Sequence, residues 1–143
     1  MTIATIIADR AGRAVHSCPA GTSVREAVAT LSANRIGAMP VMRGEAVAGI
    51  FSERDLLYCI AKEGAAVLDR AVDEVMTAPA ITVTPQTPVL EALGLMTRRR
   101  IRHLPVVEGD RLVGFVSIGD LVKQRMDHIQ HEAEQMRSYI QSA

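Results

Sequence analysis

The stretch Gly49-Ile50-Phe51-Ser52-Glu53-Arg54-Asp55 returns as Gly114-Phe115-Val116-Ser117-Ile118-Gly119-Asp120, 65 positions further along the chain. The same displacement carries His16–Ala61 onto Ile81–Met126 without a gap. Thr22, Val24, Glu26 and Ala27 recur as Thr87, Val89, Glu91 and Ala92; Arg35-Ile36 recurs as Arg100-Ile101, and Pro40-Val41 as Pro105-Val106. Gly44, Gly49, Ser52, Asp55 and Leu56 return as Gly109, Gly114, Ser117, Asp120 and Leu121. Chance similarity does not keep register over such a span, so the chain is an internal duplication. A copy of about 50 residues is too small to bury an adequate core alone, and the two are expected to pack face to face as one cooperative unit.

Each copy reads in the same order. A β-prone stretch opens it, Val15–Cys18 or Ile81–Thr84, closed by Pro19 or Pro85. A helix follows. In the first copy Thr22 or Ser23 serves as N-cap ahead of the apolar face Val24, Ala27, Val28 and Leu31; in the second Thr87 caps, Pro88 takes the first helical position, and Val89, Leu93 and Met96 repeat the face. Strands at Ala38–Met42 and Ala46–Phe51, then at His103–Val107 and Arg111–Val116, are joined through Gly44-Glu45 and Gly109-Asp110, which suit tight hairpins. A last helix begins at Ser52 or Ser117, with an acid three positions on. The order β-α-β-β-α, twice, predicts a layered α+β (α/β) fold. The division along the chain is an arm with a short helix over 1–14, in which Ile3, Ile6 and Ile7 point inward, a first repeat over 15–63, a linker with a short helix at Leu68–Met76 over 64–80, a second repeat over 81–126, and a helical extension over 127–143. In that extension Val122, Met126, Ile129, Ala133, Met136 and Ile140 form a narrow heptad seam. Such a helix lies along its own domain or pairs across a homodimer, and the narrowness of the stripe favours the homodimer.

Of the 143 residues 48% are hydrophobic, which places the chain among soluble globular proteins and outside the disordered classes. Sixteen basic and sixteen acidic residues cancel, so no global field draws it to nucleic acid or to a membrane surface. The two cysteines, Cys18 and Cys59, stand outside any zinc spacing and read as inert thiols of a reducing compartment. Near the N-terminus Asp9 and Arg10 interrupt an apolar run too short for a signal peptide or a span. The expectation is a cytoplasmic protein.

The Ser-x-x-Asp junction has two readings. A helix N-terminus offers unpaired N–H groups and a positive dipole end to an anion, and an Asp one turn on can accept from a vicinal diol, as acidic residues do with ribose in dinucleotide sites. Equally, Ser caps the helix and Asp is favourable in its first turn.

With Ile36-Gly37-Ala38-Met39-Pro40-Val41 and Ile101-Arg102-His103-Leu104-Pro105-Val106, each followed by its Ser-x-x-Asp junction, the chain resembles the tandem cystathionine β-synthase (CBS) domain pair, or Bateman module, from about Val15 to Met126. Ser52-Glu53-Arg54-Asp55 and the helical tail look like the small stand-alone bacterial CBS-pair proteins. The resemblance implies two repeats related by a pseudo-two-fold axis, with adenosine-type ligands (AMP, ADP, ATP, NAD(H) or S-adenosylmethionine) in the clefts between them. It implies that Asp55 and Asp120 contact ribose, and that Ser52, Arg54, Ser117, Arg102 and His103 lie at ribose and phosphates. It further implies that Ser17, Cys18, Pro19, Ala38 and Pro40, with Thr82, Val83, Thr84, Leu104 and Pro105, line base pockets. Gly37-Ala38 stands where the second copy has Arg102-His103, and Ile118-Gly119 where the first has Glu53-Arg54, so unequal occupancy is expected.

Other constellations carry less. Arg98-Arg99-Arg100, with Arg102 and His103, reads either as a solvated helix end, where cations favour the dipole, or as phosphate contacts in the inter-repeat cleft, for which Arg102 and His103 are the better candidates; no aromatic platform accompanies the run for nucleic acid. His128, His131 and Glu132 share a helix without a third ligand at metal spacing. No nucleophile elbow, P-loop or zinc-protease motif is present. The function expected is a non-catalytic sensor of adenine nucleotide or NAD(H), homodimeric and acting on an unidentified protein target. The alternative is a ligand-free CBS dimer serving as a scaffold.

Overall fold

The computed structural model describes residues 1–142, and two copies of one small α+β unit face each other in it. The elements are α1 (Ile3–Ala8), β1 (Cys18–Pro19), α2 (Val24–Asn34), β2 (Ala38–Arg43), β3 (Ala46–Ser52), α3 (Glu53–Glu63), α4 (Val89–Arg99), β4 (His103–Glu108), β5 (Arg111–Ser117) and α5 (Ile118–Ser142). In the first copy β1 runs parallel to β2, which pairs antiparallel with β3. In the second, β4 pairs antiparallel with β5 in the same register, down to a matching irregularity at Val41/Met42 and Val106/Val107. Gly44 and Gly109 turn the two hairpins at φ near +60°, a backbone that favours glycine.

The first strands are shorter than the sequence suggests. Only Cys18–Pro19 pairs as a strand, and its counterpart is a single parallel bridge between Val83 and Val106, because residues 14–16 and 79–81 leave the sheet edge for the gap between the copies. Ser23 caps α2, accepting from the Glu26 N–H at 3.2 Å. Thr87 does not cap α4: its hydroxyl accepts from the Thr84 N–H at 3.1 Å, which closes the preceding turn and leaves Pro88 as an N-cap without a side-chain bond.

The linker holds no α-helix at Leu68–Met76 but two 3₁₀ turns, Gly64–Asp69 and Val72–Glu74. Between them the Arg70 carbonyl accepts from the Val24 N–H at 2.8 Å and the Val72 N–H donates to the Thr22 carbonyl at 2.7 Å, so the chain is drawn extended alongside the entrance to α2 and cannot coil continuously. The N-terminal arm does the same to the second copy, with the Ile3 N–H donating to the Thr87 carbonyl at 2.9 Å.

These crossings complete the two cores. Ile3 and Ile6 of α1 are buried with Val83, Val89, Met96, Leu104 and Leu121 of the second copy, whereas Val72 of the linker joins Cys18, Val24, Leu31, Met39 and Phe51 of the first. Neither copy closes its core with its own repeat alone. Past Leu121, α5 leaves the body: Met126, Ile129, Met136 and Ile140 are 49–66% exposed. Among the described residues no helix is long and apolar enough to cross a membrane.

A glycine in β3 and one in β5 admit the crossing segments. A methyl group on Gly49 would stand 2.7 Å from the Thr77 carbonyl oxygen and 2.6 Å from Met76 Sδ, and on Gly114 it would meet the flexible tip of Ile7 at 3.1 Å. Gly49→Ala is therefore expected to cost about 1–3 kcal/mol, as overpacking against backbone does, and Gly114→Ala clearly less. Urea denaturation of both variants checks the order, and equal midpoints would show that the linker crossing shifts freely.

Candidate functional site

Two clefts open where the copies meet, one at each Ser-x-x-Asp junction. The first, about 570 Å³, lies among Ser52, Arg54 and Asp55 at the start of α3, Thr77 and Pro79–Ile81 of the linker, and Arg100–His103 leading into β4. The second, about 880 Å³, lies among Ser117 and Asp120, the arm from Arg10 to His16, and Ile36–Ala38 leading into β2. Both volumes suit a small organic ligand. Gly37, Ala38 and His103 border both clefts and form the wall between them.

At each junction helix capping and an open carboxylate oxygen coexist. The Ser52 N–H donates to Asp55 Oδ2 at 2.9 Å while the Asp55 N–H donates to Ser52 Oγ at 3.3 Å, and the matching bonds at Ser117 and Asp120 are 2.7 and 3.1 Å. This is a capping box with Asp in place of Glu or Gln. It occupies Oδ2 and fixes the direction of Oδ1, which meets groups that line the cleft. Asp55 Oδ1 accepts from the Thr77 hydroxyl at 2.8 Å, and Asp120 Oδ1 pairs with the Arg10 guanidinium. Asp55 Oδ1 keeps an acceptor position beside the neutral Thr77 hydroxyl, whereas Asp120 Oδ1 is engaged by a charged partner that a ligand hydroxyl must displace.

Of the site residues suggested by the sequence, Ser52, Arg54, Asp55, Ala38, Arg102 and His103 come together in the first cleft, and Ser117, Asp120, Ala38 and His103 in the second. The remaining base-pocket residues line neither. Ser17 and Pro19 border a separate shallow depression beside Met42 and Arg111. Cys18 and Val83 are buried in the two cores, Pro40, Leu104 and Pro105 are buried in the hairpins, and Thr82 and Thr84 are exposed outside both clefts. The first-strand residues pair inside their own layer, so the chain just upstream, Ala14–His16 and Pro79–Ile81, faces the other copy instead.

Thr77, Arg10 and Arg13 were not legible as site residues. Arg10 stands out in the sequence only as a charge ending an apolar run, and nothing local announces its ion pair with a residue 110 positions away.

Environment sets the charge of several groups. Burial pushes the Cys18 thiol up to about 11, with the negative charge of Asp73 adding to it, which keeps the thiol neutral as a core residue. Burial also opposes ionisation of Asp120, but hydrogen bonds from Arg10 and Ser117 outweigh it and hold the carboxyl below the usual range. The His103 ring stacks on Phe115 with centroids 5.5 Å apart and planes 9° from parallel. Its burial lowers the imidazole below the ordinary 6.5 against the raising pull of Asp120 and Glu53, and Arg102 lowers it further. Arg54 spans the copies, donating from Nη1 to the Arg100 carbonyl at 3.3 Å, and Arg100 itself sits in the left-handed region at φ 55°. On α5, His128 Nε2 lies 3.1 Å from Glu132.

The CBS-domain family matches this chain twice, at residues 7–62 and 72–127, and the chain belongs to that family. CBSX3, a mitochondrial CBS domain-containing protein of Arabidopsis thaliana, is 40% identical over 129 residues, which is 87% of this chain and 63% of the plant protein. The chain thus spans less than two thirds of that relative. The crystal structure of the CBS-domain containing protein ATU1752 from Agrobacterium tumefaciens superimposes with a TM-score of 0.81 at 39% identity, covering 87% of this chain and 99% of that one. Two more distant structures share the fold. CBSX2 in complex with AMP has a TM-score of 0.71 at 24% identity over 81% of this chain and 90% of its own. The CBS pair of protein MJ0100, in complex with 5′-methylthioadenosine and S-adenosyl-L-methionine, has a TM-score of 0.77 at 22% identity over 90% and 98%.

The depressed His103 has a measurable consequence. The unfolded chain binds that proton more readily, so stability is complete above about pH 6.5 and declines as pH falls towards the lower native value. His103→Phe, which keeps a ring against Phe115, is expected to flatten that decline. Denaturation at a series of pH values checks it, and an unchanged slope would assign the decline to other groups.

Proposed function

We propose that this CBS pair is a non-catalytic regulatory module that binds adenosine-containing ligands, AMP, ADP, ATP or NAD(H), in its inter-repeat clefts. The carrying observation is that each cleft joins a helix start, an oriented carboxylate and a set of basic side chains, arginines foremost. In the first cleft Asp55 stands with Arg54, Arg100, Arg102 and His103, and in the second Asp120 stands with Arg10, Arg13, His16 and His103. A carboxylate held by its own helix is suited to a ribose diol, and nearby guanidinium groups are suited to phosphate. The AMP and S-adenosylmethionine held by other CBS pairs have adenosine in common, which supports the class and leaves the tail to be determined. A ligand wedged between the copies favours one relative orientation, and α5, which starts at the Ser117-Asp120 junction, is the element that would carry the change.

The ligand class is tested by calorimetric titration of the full chain with AMP, ATP, NAD, NADH and S-adenosylmethionine. Asp55→Asn keeps a cap acceptor for Ser52 but removes the charge, and is expected to weaken binding at the first cleft roughly tenfold or more, the scale of a charge-assisted hydrogen bond. Silence of the unaltered protein across the panel would favour the scaffold reading.

Self-association is part of the proposal, on the observation that α5 exposes Val122, Met126, Ile129, Ala133, Met136 and Ile140 at alternating spacings of four and three. Ile129→Glu, which places a charge in the seam, is expected to shift the sedimentation coefficient from dimer to monomer while leaving the circular dichroism of the repeats intact. A wild-type chain that sediments as a monomer, or a variant that stays dimeric, would remove the seam from the interface.

A further inference from the structure

The two clefts obtain their positive charge differently. In the first it comes from within the repeats, from Arg54 at the helix start and Arg102 just ahead of the facing strand β4; at the same places the second cleft has Gly119 and Gly37. The arm makes up the difference. Met76 packs on Gly49 and Ile7 on Gly114, but from there to the corresponding positions Ile81 and His16 the linker needs only residues 77–80 whereas the arm has 8–15. The longer passage enlarges the second cleft and brings Arg10 and Arg13 to its edge. Arg10 binds in two directions, through Nη2 to Asp120 Oδ1 and through Nη1 to the Phe115 carbonyl at 3.3 Å. In the first cleft the corresponding carboxylate oxygen meets only a neutral hydroxyl, that of Thr77.

We propose that Arg10 is a phosphate-binding residue of the second cleft that is held in reserve on Asp120, and that a phosphorylated nucleoside binds by exchanging partners: its ribose hydroxyls take Asp120 and its phosphate takes the released guanidinium. The inference rests on the adenosine reading of the clefts and adds which group confers phosphate selectivity on one of them. The exchange has a physical direction. A nucleoside without phosphate must compete with Arg10 for Asp120 and leaves the guanidinium with one partner fewer, whereas a nucleotide supplies a new anion for it. The tether permits the move, since α1 is anchored by buried Ile3 and Ile6 while the segment after it is closed only by local turn bonds, such as Arg13 N–H to the Arg10 carbonyl at 2.9 Å. Arg10 is also 38% exposed and so reachable from solvent.

The test is calorimetric titration of the full-length chain with AMP and with adenosine, in an Asp55→Asn background that leaves the second cleft as the intact one. AMP is expected to bind roughly 10- to 100-fold more tightly than adenosine, the scale of one charge-assisted hydrogen bond. Arg10→Gln is expected to abolish that ratio by weakening AMP while leaving adenosine unchanged or tighter, and Arg10→Lys to restore part of it. If Arg10→Gln weakens both ligands equally, or changes neither, the partner exchange is wrong while the adenosine reading stands. If the unaltered protein binds neither adenosine nor any ligand of the AMP, ATP, NAD, NADH and S-adenosylmethionine panel, the adenosine reading fails and this inference with it; if it binds another of these ligands but no AMP, this inference alone is wrong. Circular dichroism and the unfolding midpoint of each variant separate loss of binding from loss of fold.

Discussion

A carboxylate that serves its own helix and a cleft at once is the constraint on which the arrangement depends. Asp55 and Asp120 each accept from the backbone N–H of a serine three residues earlier, which commits one oxygen to ending a strand and starting a helix. The other oxygen is thereby held in one direction with few rotamers left to lose, which is how a small site becomes preorganised. Capping and ligand recognition look like competing explanations when the sequence is read locally. In three dimensions they are compatible, because the cap is what turns the second oxygen toward the cleft.

For that oxygen to face anything useful, the two copies must be locked together, and interleaving does so. The arm at the N-terminus enters the core of the second copy and the linker enters the core of the first, each crossing a sheet where glycine leaves room. Small repeats gain apolar burial from this, and neither can close its core without a segment from outside its own repeat. The crossing segments also deliver Thr77 and Arg10 to the two carboxylates, so the same strands of chain that stabilise the pair furnish its clefts.

Pseudo-symmetry makes the departures informative. Backbone register, the sheet irregularities and the left-handed Arg35 and Arg100 repeat from copy to copy. The cleft cations do not, nor does the length of chain that closes each cleft. An inherited scaffold with two non-equivalent pockets is suited to ligands that differ in charge or to unequal affinities for one ligand. His103, on the wall between the pockets and kept neutral mainly by burial, touches both environments.

By itself the sequence determined the duplication, the β-α-β-β-α order, the hairpins, both Ser-x-x-Asp junctions and the apolar seam of α5, because each of these is written in local periodicity, turn chemistry or exact recurrence. Local pattern also misled where a long-range partner outcompeted it. The segment 68–76 is broken by pairing with Thr22 and Val24, Thr87 is taken by Thr84, and the first-strand residues given to the base pockets turn into their own cores, as Cys18 and Val83 do, or out to the surface, as Ser17, Pro19, Thr82 and Thr84 do, while the chain just upstream of them faces the other copy. Only the tertiary structure decided that α1 belongs to the second core, that Thr77 and Arg10 reach the carboxylates, and that one cleft draws its charge from the arm. Those contacts join residues as far apart as Arg10 and Asp120, and no spacing rule encodes which of many exposed cations will meet a given carboxylate until packing has fixed the path of the chain between them.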